Sequence, residues 1–120
     1  MSRPGPADPR QHIPMHPLEF QTLLVLLEGD LHGYGIAKEI EARENGLEKV
    51  LPTNLYRRLR DLADRGLIAE EAPGEAGQRK LFRITPFGRE VARAEALRLE
   101  ALVRVARGKD LLPSSPGDVR

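Results

Sequence analysis

LPTNLYRRLRDLADRGLI, residues 51–68, sets four arginines and two aspartates around a regular row of leucines. Leu55, Leu59 and Leu62 stand at i, i+4 and i+7, so one face of a helix carries all three and turns them inward. Thr53 or Asn54 is expected to cap its start and Gly66 to end it. Asn54, Arg57, Arg58 and Arg60 then point outward. Asparagine can read adenine and arginine guanine in a major groove, and both can bind phosphate. The first half of the stretch is basic and polar, whereas Asp61 and Asp64 fall in the second half. That order suits a recognition helix, whose N-terminal residues meet base edges while the rest leaves the groove. It equally suits a solvated face laced by the ion pairs Arg57–Asp61 and Arg60–Asp64. Periodicity alone leaves both readings open.

The neighbouring segments supply the context. PLEFQTLLVLLEG, residues 17–29, is apolar on nearly every side between a helix-starting proline and a helix-stopping glycine. Such a helix is buried on more than one face, in part against a second subunit. DLHGYGIAKEIEARENG, residues 30–46, predicts a second helix with a tight glycine-bearing start and an Asn45-Gly46 stop. Beyond the opening stretch the period shortens. LIAEE and RKLFRI flank APGEAGQ, which predicts a β-hairpin with a loose tip over residues 72–78. Gln78, Arg79, Lys80 and Arg83 cluster after the tip, where a wing would lie on phosphate. Charge also protects an ordinary edge strand, and Glu70, Glu71 and Glu75 on the opposite arm suit that alternative. TPFGREVARAEALRLEALVRVARG, residues 85–108, predicts a long last helix capped by Thr85, opened by Pro86 and ended by Gly108.

Composition narrows the function. The 120 residues carry 19 basic and 18 acidic side chains, a net charge of +1, so any case for nucleic acid must be local. Aromatics make up 4% and tryptophan is absent, which leaves a Leu, Val and Ile core in a chain near the size where isolated cores are thin. There are no cysteines, hence no disulfides and no thiolate metal sites. No apolar run approaches the ~20 residues needed to span a bilayer, and the proline-bearing start is no signal peptide; a cytoplasmic protein without membrane contact is expected. His12 and His16 have i, i+4 spacing, but Pro14 lies between them and no third ligand is near, so no metal and no cofactor are expected. No Ser–His–acid set or phosphate loop is present, and no enzyme is expected.

The order of elements predicts a mostly α fold with a small β-hairpin, a winged helix-turn-helix. Residues 1–16 are expected to be a flexible N-terminal arm, 17–85 the winged helix-turn-helix, 86–108 a C-terminal dimerisation helix and 109–120 a tail. LEGDLHGYGIAKEIE, PTNLYRRLRDLADRGLI and RKLFRITPFGRE resemble, in order, three motifs of the PadR family of bacterial transcriptional regulators: a His-Gly-Tyr-x-Ile stretch, a Pro-Gly-Thr-Leu-Tyr recognition helix ending in Gly-Leu-Ile, and a wing strand running into Thr-x-x-Gly. The resemblance covers roughly residues 17–108 and the short-tailed branch of the family. It implies binding to double-stranded DNA at a pseudo-palindromic operator, as a homodimer and usually as a repressor. It also implies a small-molecule effector as a candidate partner, which no residue here identifies. The DNA-binding residues it implies are Thr53, Asn54, Tyr56, Arg57, Arg58 and Arg60 on the helix, with Arg79 and Lys80 on the wing. Tyr56 has two open roles, a backbone contact or packing at the domain's edge. The family's Gly-Thr is Thr53-Asn54 here, so operator preference is expected to differ at those two positions. On the last helix Val91, Leu97, Leu99, Leu102 and Val105 form a stripe wider than one small domain needs, so they are expected to form the dimer interface; the alternative is a helix packed only on its own domain. The alternative function is a winged-helix protein-interaction module with no specific DNA binding.

Overall fold

The computed structural model describes residues 8–43, 50–71 and 80–113. The hairpin tip with Gln78 and Arg79, the Asn45-Gly46 stop and the two chain ends fall outside the described residues. A 3-10 turn, Pro9–His12, precedes helix α1, Pro17–Leu26. Strand β1, Leu31–His32, runs straight into α2, Gly33–Arg43, and α3 spans Pro52–Asp64. Strands β2, Ile68–Glu71, and β3, Leu81–Ile84, lead to α4, Pro86–Gly108.

Helix α1 is the centre of the packing. It touches α2, α3, α4 and β3, which explains why its sequence is apolar all round. Leu23, Val25 and Leu26 from α1, Ile36 and Ile40 from α2, and Leu55, Leu59 and Leu62 from α3 share one core. That core reaches past the helix-turn-helix to Phe82 on β3 and to Val91 and Ala92 on α4. The expected boundary between residues 85 and 86 is therefore a change of element within one packed unit.

The sheet has three strands, in the order β1-β3-β2, where the sequence had predicted a two-stranded hairpin. β1 is only two residues long and pairs Leu31 with Phe82 and His32 with Leu81. A strand this short carries no alternation of its own; its partner lies some fifty residues away along the chain. β2 and β3 are antiparallel from Ile68↔Ile84 to Glu71↔Leu81.

Helix ends follow local chemistry. Leu51 precedes α3 without a side-chain cap and Pro52 takes the first turn, so Thr53 and Asn54 lie inside the helix instead of capping it. Gly66, with φ +80°, ends α3: Leu67 N–H bonds Leu62 C=O and Gly66 N–H bonds Ala63 C=O, a Schellman motif. The Thr85 hydroxyl accepts from Gly88 N–H at 2.9 Å and opens α4 as its sequence predicts.

The expected flexible arm at 1–16 is packed from Asp8 onwards. Met15 is buried, and His12 meets the Phe87 ring edge-on with centroids 5.3 Å apart. Met15 N–H donates to the buried Glu95 carboxylate at 3.2 Å, and Arg98 grips the same carboxylate through two bonds of 2.8 Å. The proline content hid this docking, because the anchors are single residues that bind α4 across the whole domain.

Arg98 and the Met15 amide hold the Glu95 carboxyl below its ordinary value, against the opposite push of desolvation. A folded-state value below the unfolded one gives stability that is present above the unfolded value and lost as pH falls through the folded one. Glu95→Gln is therefore expected to cost about 1–3 kcal/mol at neutral pH. The gap to wild type should close on the acid side of the carboxylate range. Thermal melts of both proteins across that range check it; a gap independent of pH would contradict the assignment.

Candidate nucleic-acid interface

The inward leucines of α3 leave Thr53, Asn54, Tyr56, Arg57 and Arg60 exposed on one side of the helix. Within this set Arg57 donates to the Asn54 side-chain oxygen at 3.1 Å, which holds the two side chains next to each other. Neither Arg57–Asp61 nor Arg60–Asp64 forms; Asp61 pairs with Arg65 instead, at 2.7 Å. Arg57 and Arg60 thus have no carboxylate partner among the described residues. The solvated, internally neutralised face that the sequence left open is not what the first half of α3 presents.

Arg58 stands apart. It was expected with the outward residues, but it is half-buried and pairs with Glu19 of α1 at 3.2 Å. Arg65, just past the end of α3, reaches the same carboxylate at 3.0 Å. Two of the four arginines of the opening stretch are therefore turned towards α1. Only 5% of Glu19 is exposed. Its position in the first turn of a helix reads as a surface residue complementing the helix dipole. The arginines that bury it lie about forty residues further on, so no local pattern marks it.

Of its two open roles, Tyr56 takes the packing one, at the edge of the domain. Its ring lies over Gly33, where an added Cβ would sit 2.7 Å from the Tyr56 hydroxyl, yet the residue stays half exposed beside the arginines. Gly33 is needed for that close approach at the start of α2. His32 Nδ1–H donates to Lys80 C=O at 2.9 Å and ties β1 to the base of the wing.

The sheet brings Lys80 to the same side as α3. Tyr56, Arg60, Lys80 and Glu70 line a cleft of about 330 Å³ between the helix and the strands. Lys80 Nζ is 2.8 Å from Glu70, and Arg83 is 3.0 Å from Glu71. These are exposed pairs, worth about 0–1 kcal/mol each, so a phosphate can displace the carboxylate from either cation.

The expected interface residues on α4 divide. Val91 is buried in the protomer's own core. Leu99 is half-buried, whereas Leu97, Leu102 and Val105 are 60%, 53% and 57% exposed. No residue of α4 beyond Glu95 is buried. Phe20, Leu24 and Leu99 line a groove of about 430 Å³ between α1 and α4.

His16 caps α1, its Nδ1 accepting from Leu18 N–H at 3.1 Å. Among the described residues, no group of three or more His, Cys, Asp or Glu is placed to hold a metal ion. No helix among them is long and apolar enough to cross a membrane.

A comparison with protein-family profiles matches residues 22–94, more than half of the chain, to the transcriptional regulator PadR-like family. No curated protein matches. Among solved structures, a transcriptional regulator from Clostridium thermocellum is similar with a TM-score of 0.70 and 28% identity, over 82% of this chain and 90% of its own. A PadR family transcription regulator from Clostridium difficile has a TM-score of 0.65 at 20% identity, over 78% of this chain and 97% of its own. Bacillus subtilis PadR, solved in complex with operator DNA, has a TM-score of 0.59 at 21% identity and covers 89% of this chain. The present chain covers 54% of that protein, about half its length.

Proposed function

This chain belongs to the PadR-like family of transcriptional regulators, and from that membership we propose that it is a homodimeric DNA-binding repressor of a pseudo-palindromic operator. One observation carries the DNA reading. α3 presents Asn54, Arg57 and Arg60 without a neutralising carboxylate among the described residues, while Arg58 and Arg65 are paired internally. Unneutralised arginines beside an asparagine on an exposed helix face are what base edges and phosphates select. A similar fold has been solved on operator DNA, in Bacillus subtilis PadR.

In this reading Asn54 and Arg57 meet base edges, Thr53 and Arg60 flank them, and Tyr56 sits at the margin. Lys80 meets phosphate once Glu70 is displaced. Arg79, which lies outside the described residues, is proposed to extend that contact along the wing. The dimer rests on Leu97, Leu99, Leu102 and Val105. Leu99 and Leu102 continue, one and two turns on, the helix face that Glu95 buries in the protomer. A second copy's α4 would cover this face together with the α1–α4 groove, so we assign that groove to the partner subunit and not to an effector. The C2 axis would place two α3 helices about 34 Å apart, one turn of DNA.

The test is a titration of duplex DNA from the chain's own upstream region at two salt concentrations. Specific binding with a steep salt slope is expected. Arg57→Ala should cost about 1–3 kcal/mol and relax specificity at one position of each half-site. Lys80→Ala should weaken all sequences alike and flatten the slope by about 1. Weak, salt-insensitive binding by wild type would favour a protein-interaction module instead.

A further inference from the structure

The Glu19 carboxylate is nearly buried, sits on the central helix and is held by two arginines of the opposite element. Arg58 lies in the middle of α3 and Arg65 just past its end, about two turns on, and both guanidinium groups converge on one oxygen, Glu19 Oε2. Two side chains that leave α3 two turns apart and meet at one atom of α1 resist rotation of α3 about its own axis. Asp61 bonds Arg65 at the same time, through Nε at 3.0 Å, which holds the guanidinium in the plane that meets Glu19.

We infer that Glu19 is a positioning residue for DNA reading. Through Arg58 and Arg65 it sets the face that α3 turns to the groove, and it withholds Arg58 from phosphate. The inference rests on the DNA-binding role of α3 proposed above. The physical reason is the fixed geometry of the pair. A desolvated carboxylate whose one oxygen is shared by two guanidinium groups is costly to leave. The roll of α3 is therefore set by charge, whereas the leucines of its inner face would tolerate some sliding. Base readout needs the fixed roll; phosphate contact does not.

The consequences of breaking the device differ from those of damaging the fold. Glu19→Gln frees Arg58, leaves Arg65 to Asp61, and releases the roll. The probes are a duplex selected by the wild-type chain from a random pool and a duplex with both half-sites scrambled, each titrated over a series of salt concentrations. The ratio of affinities, selected over scrambled, should fall about tenfold or more, the scale of one lost base contact. The salt slope on the scrambled duplex should steepen by about 1, as the freed Arg58 reaches phosphate. General loss of structure would weaken binding without steepening the slope.

Arg58→Gln covers the case in which Glu19→Gln does not fold, because Glu19 keeps Arg65 and no buried charge is left alone. It should lower the same ratio and leave the slope on scrambled DNA unchanged. If Arg58 were instead a direct phosphate contact, affinity for both duplexes would fall together and the slope would flatten by about 1. That result, or a wild-type ratio in a folded Glu19→Gln, would overturn the inference. A wild-type chain that selects no sequence would instead overturn the DNA-binding reading on which it rests.

Discussion

Gly88→Ala is expected to lower the stability of the fold by about 3 kcal/mol, and by more if the surrounding backbone cannot yield. A Cβ at this position would lie 2.0 Å from Leu67 C=O and 2.9 Å from Ile84 Cγ1. The first of these neighbours is backbone, and it is not free to move. The Leu67 carbonyl accepts from Thr85 N–H at 3.1 Å and from the Thr85 hydroxyl at 3.0 Å. The same hydroxyl caps α4 at Gly88 N–H. Moving the carbonyl away from a methyl group would break the contacts that join the end of α3, the start of β2 and the start of α4. The melting temperature should drop by roughly 10 °C or more in a chain of this size. Gly108→Ala is the control, since nothing lies within 4 Å of a Cβ there. It should be neutral, or stabilise by a fraction of the ~1 kcal/mol that separates glycine from alanine in a helix. Equal melts for the two variants would contradict the close approach of α4 to Leu67.

Leu102→Glu should separate the subunits while leaving each protomer folded. Leu102 is more than half exposed and makes no part of the protomer's core, so the monomer has no reason to unfold. In the proposed dimer the same position lies within the covered face of α4. An unpaired carboxylate buried there costs about 3 kcal/mol or more. Sedimentation should show a shift from dimer to monomer. Operator affinity should fall by about 10²-fold or more, because two linked half-site contacts become one. A dimeric Leu102→Glu with wild-type affinity would place the interface elsewhere.

Local patterns in the sequence were good guides to local structure. The i, i+4, i+7 leucines predicted the buried face of α3, and Gly66 and the Thr85-Pro86 pair predicted helix ends that the structure has. Each depends on residues within one or two turns. What the sequence hid depends on residues far apart. β1 exists through its pairing with β3, the N-terminal segment is ordered through Glu95, and Glu19 is buried by arginines of another helix. The candidate site shows the same division. Asn54, Arg57 and Arg60 were legible as outward residues from helical period alone. Arg58 was misplaced although the period sets it beside the leucines, three residues after Leu55 and four before Leu62; its charge was read as exposure, and the carboxylate that accepts it lies on another helix. The need for glycine at Gly33 and Gly88 was likewise invisible, since each is set by a neighbour from a different element: the Tyr56 ring and the Leu67 carbonyl.

Selection of bound duplexes from a random pool tests whether two copies of this chain present the first half of α3 to successive turns of DNA. The expected product is an inverted repeat whose half-site centres lie about 10 base pairs apart, with preference within each half-site altered by Arg57→Ala. Recovery of no common sequence, or of a single unrepeated site that Arg57→Ala leaves unchanged, would contradict it.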